Sequence, residues 1–261
     1  MPLVFVVFVV FVVLVGLAVG SFLNVVIARV PERRSLLRPS SACPGCGTPI
    51  AWRDNIPLVS FVALRRRCRA CGMAIPWTYV LVESGTGAAF AIAWVRFGAT
   101  WDFVIAAVLI SSLIAITVID LRHQIIPDVI TLPGILAGML ANLGTGRLPW
   151  HEPVVGILIG GGIYYAVIQG YALLMGREGM GGGDVKLAAM LGAFLGWKIY
   201  LLAFVVSSLL GGVVGIALML SGRHGGKHPV PFGPFLAVGG MVALLWGERI
   251  LSWYLSLFVA E

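Results

Sequence analysis

The chain has 261 residues, 59% hydrophobic and 11% charged, with a formal net charge of +7. Its mean hydropathy is +1.00. A soluble domain carries about 25% charged residues, so these values exclude a soluble globular enzyme, a disordered chain and a coiled coil. The apolar stretches are continuous rather than alternating, which argues against a transmembrane β-barrel. The chain reads as an all-α polytopic membrane protein.

A membrane-crossing helix needs about 20 apolar residues. Apolar runs cover residues 3–29, 78–97, 102–119, 128–143, 153–175, 185–196, 199–220 and 232–258, which gives about eight transmembrane helices. The first run is too long for the core of a signal peptide, and no basic segment precedes it. The sixth run is short, and only Trp197-Lys198 parts it from the seventh. The chain divides into a first helix (1–30), an extramembrane loop domain (31–77) and a seven-helix membrane domain (78–261). No clear internal repeat is visible.

The charges set the orientation. Eight of the 18 Lys and Arg lie between residues 31 and 77: Arg33, Arg34, Arg38, Arg53, Arg65, Arg66, Arg67 and Arg69. The positive-inside rule puts this loop in the cytoplasm and the N-terminus outside. Topology accounts for the basic island, so nucleic acid is not an expected partner. With eight spans, Arg29, Arg122, Arg177, Lys186, Arg223 and Lys227 also fall inside, and only Arg96, Arg147, Lys198 and Arg249 lie near outer ends. Fusing the sixth and seventh runs would move Arg223 and Lys227 outside.

All four cysteines sit in the basic loop, as Cys43-Pro-Gly-Cys46-Gly and Cys68-Arg-Ala-Cys71-Gly, with 21 residues between the pairs. Two thiolates at Cys-x-x-Cys spacing reach one ion, and two such pairs complete a tetrahedral site. The expectation is structural zinc on Cys43, Cys46, Cys68 and Cys71, since four thiolates close the coordination sphere. Two disulfides are the rival reading, which a reducing cytoplasm disfavours.

Acidic residues are scarce. Asp120 ends the third run in Thr117-Val-Ile-Asp120-Leu-Arg-His-Gln-Ile-Ile-Pro127-Asp128, and Asp184 opens the sixth in Gly179-Met-Gly-Gly-Gly-Asp184-Val-Lys186. An ionisable group at membrane depth is functional by default, although at a span end its cost is small. The span count puts both aspartates on the cytoplasmic side. Two carboxylates at one depth can serve as base and acid on a water that hydrolyses a peptide bond. No Ser–His–Asp set or His-Glu-x-x-His helix offers another chemistry. Gly179, Gly181, Gly182 and Gly183 predict irregular backbone, which at membrane depth must be buried or line a cavity. An extended peptide could lie there, along Gly181 and Gly183. Glu83 in the second run, with Ser21 and Asn24 in the first, would either line the same cavity or hydrogen-bond between helices. His224 and His228 are four apart, but Gly225-Gly226 and Pro229 make that stretch a loop rather than a metal-binding helix face.

Several segments together resemble the type IV prepilin peptidase family. Gly20-Ser-Phe-Leu-Asn24-Val-Val-Ile-Ala-Arg29-Val-Pro31 is similar to its N-terminal signature, and the paired Cys-x-x-Cys loop follows in order. The Asp120 to Asp128 and Gly179 to Lys186 segments resemble the two aspartate motifs of GxGD proteases. Pro231-Phe-Gly-Pro234-Phe resembles the family's loop before the last span. The resemblance implies an enzyme of the bacterial inner membrane with two activities. It would cut the basic leader from type IV prepilins or type II secretion pseudopilins at the cytoplasmic face. It would then methylate the new N-terminal amine with S-adenosylmethionine. Carried over, the catalytic pair is Asp120 and Asp184, and Asp128 matches a non-catalytic position. The methyl-donor residues are not assignable from the motifs. Two other readings stand beside this one: a transporter with an aspartate proton relay, and a GxGD protease without methyl transfer.

Overall fold

The computed structural model describes residues 2–175, 181–221 and 231–259. Arg177, Glu178, Gly179, Arg223, His224, Lys227 and His228 lie outside the described residues. The described chain is all-helical. The helices are α1 (Pro2–Arg29), the short α2 (Val59–Ala63), α3 (Trp77–Phe97), α4 (Trp101–His123), α5 (Asp128–Thr145), α6 (His151–Met175), α7 (Gly182–Leu220) and α8 (Gly233–Val259), with one 3₁₀ turn at Trp52–Asp54. Seven of them are long and apolar enough to cross a membrane. Contacts group the chain into two units, Met1–Ala115 and Ile116–Glu261, with α4 beginning in the first and ending in the second.

In the first unit α1 packs along α3. The backbones approach at small residues: a Cβ on Gly20 would stand 2.7 Å from Glu83 Cα, and one on Gly16 would stand 2.8 Å from Gly87 Cα. Small residues at a helix contact are the usual device where lipid removes the hydrophobic drive to associate. Trp94 is stacked on Phe8 and meets Phe103 edge-on, with ring centroids 5.7 and 5.3 Å apart.

In the second unit the residues from Leu187 to Gly196 are all buried, as suits a helix that is apolar on every side. At 39 residues, α7 would be about 58 Å long if straight, against a hydrocarbon thickness of about 30 Å. It is not straight. Gly196 has φ 72° and ψ 165°, a conformation that favours glycine. The packing of α6 shows that the chain reverses there. Gly156 packs on Gly192 and Gly160 on Ala188, so α6 runs antiparallel to the first limb of α7. Yet Gly160 also meets the Tyr200 ring, and Tyr164 meets Phe204 at 5.8 Å. A straight helix would carry Phe204 about 30 Å beyond Asp184. The 39 residues are therefore two limbs joined at Gly196, and the expected sixth and seventh spans are separate passes. Asn142 of α5 seals this turn, its Nδ2 donating to the Ala193 carbonyl at 2.9 Å and the Phe194 carbonyl at 3.3 Å.

Candidate functional site

The cysteine loop is two copies of one small fold. In the first, the Cys43 amide donates to the Thr48 carbonyl and the Gly47 amide to Cys43; in the second, Cys68 donates to Met73 and Gly72 to Cys68. An isolated bridge closes each, Ala42 with Pro49 and Arg67 with Ala74. Gly47 and Gly72 have φ of 70° and 73°, which explains the glycine after each Cys-x-x-Cys. The repeat is too short to stand out in the sequence, where only the cysteines and those glycines coincide.

The two knuckles bring all four sulfurs together. The thiols are free, their Sγ atoms all lie within 4.8 Å of one another, and Cys43 and Cys71 are 3.7 Å apart. A tetrahedral ion with bonds of about 2.3 Å needs sulfurs at about this separation. The electrostatics point the same way. Hydrogen bonding with the side chain and backbone of Thr48 pulls the Cys46 thiol down to about 6. Cys71, despite a hydrogen bond to the Met73 backbone, is pushed up to about 11 by burial and its three sulfur neighbours. Four adjacent thiolates need a cation, and the donor set fits one. Beside the knuckles, Arg69 binds both carboxylate oxygens of Asp54 at 2.7–3.2 Å.

Glu83 lies in the same unit. It is buried, its Oε2 accepts from the Leu58 amide at 2.9 Å, and Ser21 is beside it. Leu58 has φ 59°, so Glu83 fixes a strained residue at the start of α2. Asn24 donates to the Tyr79 carbonyl at 3.2 Å.

The two aspartates meet in the second unit. Asp120 lies in the last turn of α4, which continues to His123. Its side chain is buried, and Oδ2 accepts from the Gly233 amide at 3.0 Å. Gly233 is the first residue of α8, so the bond uses one of the free N–H groups of a helix N-terminus. A Cβ on Gly233 would stand 2.6 Å from Oδ2; only glycine lets the carboxylate approach. This is a physical account of the Pro231-Phe-Gly-Pro234 segment. Asp184 lies in the first turn of α7, after an extended Gly181. Gly182 and Gly183 are helical rather than irregular as expected from sequence, which the first turn tolerates because its amides have no partners there anyway. Ile126 joins the two aspartates' surroundings, touching the Gly183 position on one side and the Gly233 position on the other. The carboxylates are within Coulombic range of each other, and Asp184 is buried. Asp128 is different. It is exposed and paired with Lys186, Nζ lying 2.7 Å from both its oxygens.

Two family models match the chain, the bacterial peptidase A24 N-terminal domain over residues 14–97 and the type IV leader peptidase family over residues 107–216. A protein of Aeromonas salmonicida named prepilin leader peptidase/N-methyltransferase is 40% identical, over 93% of this chain and 92% of its own. The chain belongs to the type IV leader peptidase family. A Pseudomonas aeruginosa protein of the same name is 39% identical over 98% of this chain and 95% of its own, and one from Myxococcus xanthus is 46% identical over 80% and 63%. No solved structure matches. As in the order of the leader peptidase models, the cysteine loop lies within the N-terminal match and both aspartates within the C-terminal one.

Proposed function

We propose that this multi-pass membrane protein cuts the basic leader from type IV prepilins or type II secretion pseudopilins at the cytoplasmic face of the bacterial inner membrane. It then N-methylates the exposed residue with S-adenosylmethionine. The observation that carries the reading is the pair of buried carboxylates from α4 and α7, in a chain closely similar to enzymes of that name. One carboxylate takes a proton from a water, which attacks the scissile carbonyl carbon. The other, in its acid form, gives a proton to the carbonyl oxygen. Asp120 and Asp184 fill these roles, and the backbone at Gly181 and Gly183 flanks the extended peptide. Zinc is the ion for the four thiolates, as structural metal that folds the loop. The methyl donor carries the transferable methyl.

The test is incubation of the purified protein with a prepilin-like peptide, read by mass spectrometry for cleavage and for gain of one methyl. An intact peptide, or full cleavage by either Asp120→Asn or Asp184→Asn, would refute the reading.

A further inference from the structure

Three buried oxygens without a hydrogen-bond partner among the described residues are Asp184 Oδ1, Tyr164 Oη and Tyr200 Oη. The register of α6 on α7 brings them together. Gly156 lies on Gly192 and Gly160 on Ala188, so the next turn of α6 sets Tyr164 opposite Asp184. From the other limb of α7 the tip of the Tyr200 ring reaches Gly160, with Cζ 3.2 Å from the position of a Cβ there. Tyr164 is in Coulombic range of both Tyr200 and Asp184. Its side chain is locked: the ring meets Phe204 and Phe232, each with centroids 5.8 Å away. Tyr164 is 2% exposed and Tyr200 fully buried.

A buried tyrosine hydroxyl ordinarily finds a partner. A buried water is held by two to four polar groups, and here three unpartnered oxygens are carried by neighbouring turns of α6 and α7 without bonding one another. If packing were the whole purpose, phenylalanine would fill both positions. We propose that Tyr164 is a positioning residue for Asp184: with Tyr200 it holds one buried water that donates to Asp184 Oδ1 and fixes the plane of that carboxylate. The two hydroxyls donate to the water oxygen, and one water hydrogen goes to the aspartate. This rests on the catalytic reading of Asp184 given above.

The test uses the purified full chain with a prepilin-like peptide for cleavage, and a pre-cut peptide with a free N-terminal Phe for methylation. Tyr164→Phe keeps the ring and removes the hydroxyl. Its kcat for cleavage should fall roughly tenfold or more, because a misplaced reacting group is costly, while KM, methylation and melting temperature stay at native values. Tyr200→Phe should lose less. The double variant should be no slower than Tyr164→Phe alone, as groups acting through one water are not additive. Native kcat in Tyr164→Phe, beside an inactive Asp184→Asn, would overturn the proposal and leave the catalytic reading intact. So would an equal loss of cleavage and methylation, which marks a folding defect, or strictly multiplicative losses in the double variant. Native cleavage by Asp184→Asn would overturn both.

Discussion

The cysteine loop and the aspartate end of the second unit secure their functional atoms by different means. In the loop, Cys43 and Cys68 head short turns closed by a few backbone hydrogen bonds. Such short turns bury little, so a cation among the four sulfurs would supply much of the folding energy. Around Asp120 and Asp184 the opposite holds. Each carboxylate rides on a long helix, and the contacts that place it are close approaches at glycines: Gly233 against the Asp120 carboxylate, Gly183 against the Ile126 side chain, and the Gly192 backbone against that of Gly156. The difference teaches where each is fragile. The loop should fail when one ligand or the ion is removed. The aspartate end should lose its chemistry when one carboxylate is altered, yet keep its fold.

The largest effect should come from the carboxylates. Asp120→Asn or Asp184→Asn should lower cleavage of a prepilin-like peptide by 10²-fold or more, as is typical when a general acid or base is lost, with no change in melting temperature. Asp128→Asn is the control: it breaks an exposed pair with Lys186 and should retain most activity. Equal losses at Asp120 and Asp128 would contradict the difference in burial between them.

The next effect sharpens the contrast between the regions. Cys→Ser at any of the four positions, or treatment with a strong chelator, should remove about one zinc per chain by elemental analysis. It should also expose the loop to protease. Methylation of a pre-cut peptide should fall further than cleavage, since the membrane helices keep their own backbone hydrogen bonds. Parallel loss of both activities would mean that the aspartate end needs the loop.

A third substitution probes the helical side. Gly233→Ala puts a methyl group where the Asp120 carboxylate now sits. Cleavage should drop about tenfold or more through displacement of that carboxylate, while zinc content is unchanged. Wild-type cleavage would show that the α8 amide does not orient Asp120.

The smallest effect lies at the loop surface. The Arg69 guanidinium holds the Asp54 carboxyl below its usual value. A depressed carboxylate stabilises the fold above its unfolded value of about 3.9 and loses that contribution as pH falls through the lower folded value. Asp54→Asn should therefore slightly hasten chelator removal of zinc at pH 7. Because the pair is exposed, salt should shrink the difference. A large effect would mean that the pair, rather than the knuckles, holds the loop.

Much of this architecture is legible in the sequence, for identifiable reasons. Continuous apolar runs mark the spans to within a few residues, because lipid demands them. Charge asymmetry keeps the sixth and seventh runs apart, and the reversal falls at Gly196, one residue before the expected Trp197-Lys198 break. The four cysteines announce their cluster through spacing. What stays hidden depends on long-range register. The hydrogen bond from Gly233 to Asp120 joins residues 113 positions apart, and no local pattern encodes it. Tyr164 and Tyr200 carry no local signal in the sequence until α6 is laid on α7. The first turn at Gly182 and Gly183 is helical despite glycine's poor propensity, because its amides lack helical partners in any case and Gly183 packs on Ile126.

The turn at Gly196 also bears on how the chain enters the bilayer. A reversal this tight leaves no loop to be threaded through, only the tip at Trp197-Lys198. Lys198 of the tip is bound at 2.9 Å to Glu152 of α6, so the charge of the tip is offset by a neighbouring helix rather than within the hairpin. A tip paired in this way is cheaper to translocate than a bare ammonium, which is costly to carry across hydrocarbon. The two limbs can insert together as one helical hairpin beside α6, whose carboxylate spares the membrane the crossing of an unpaired cation.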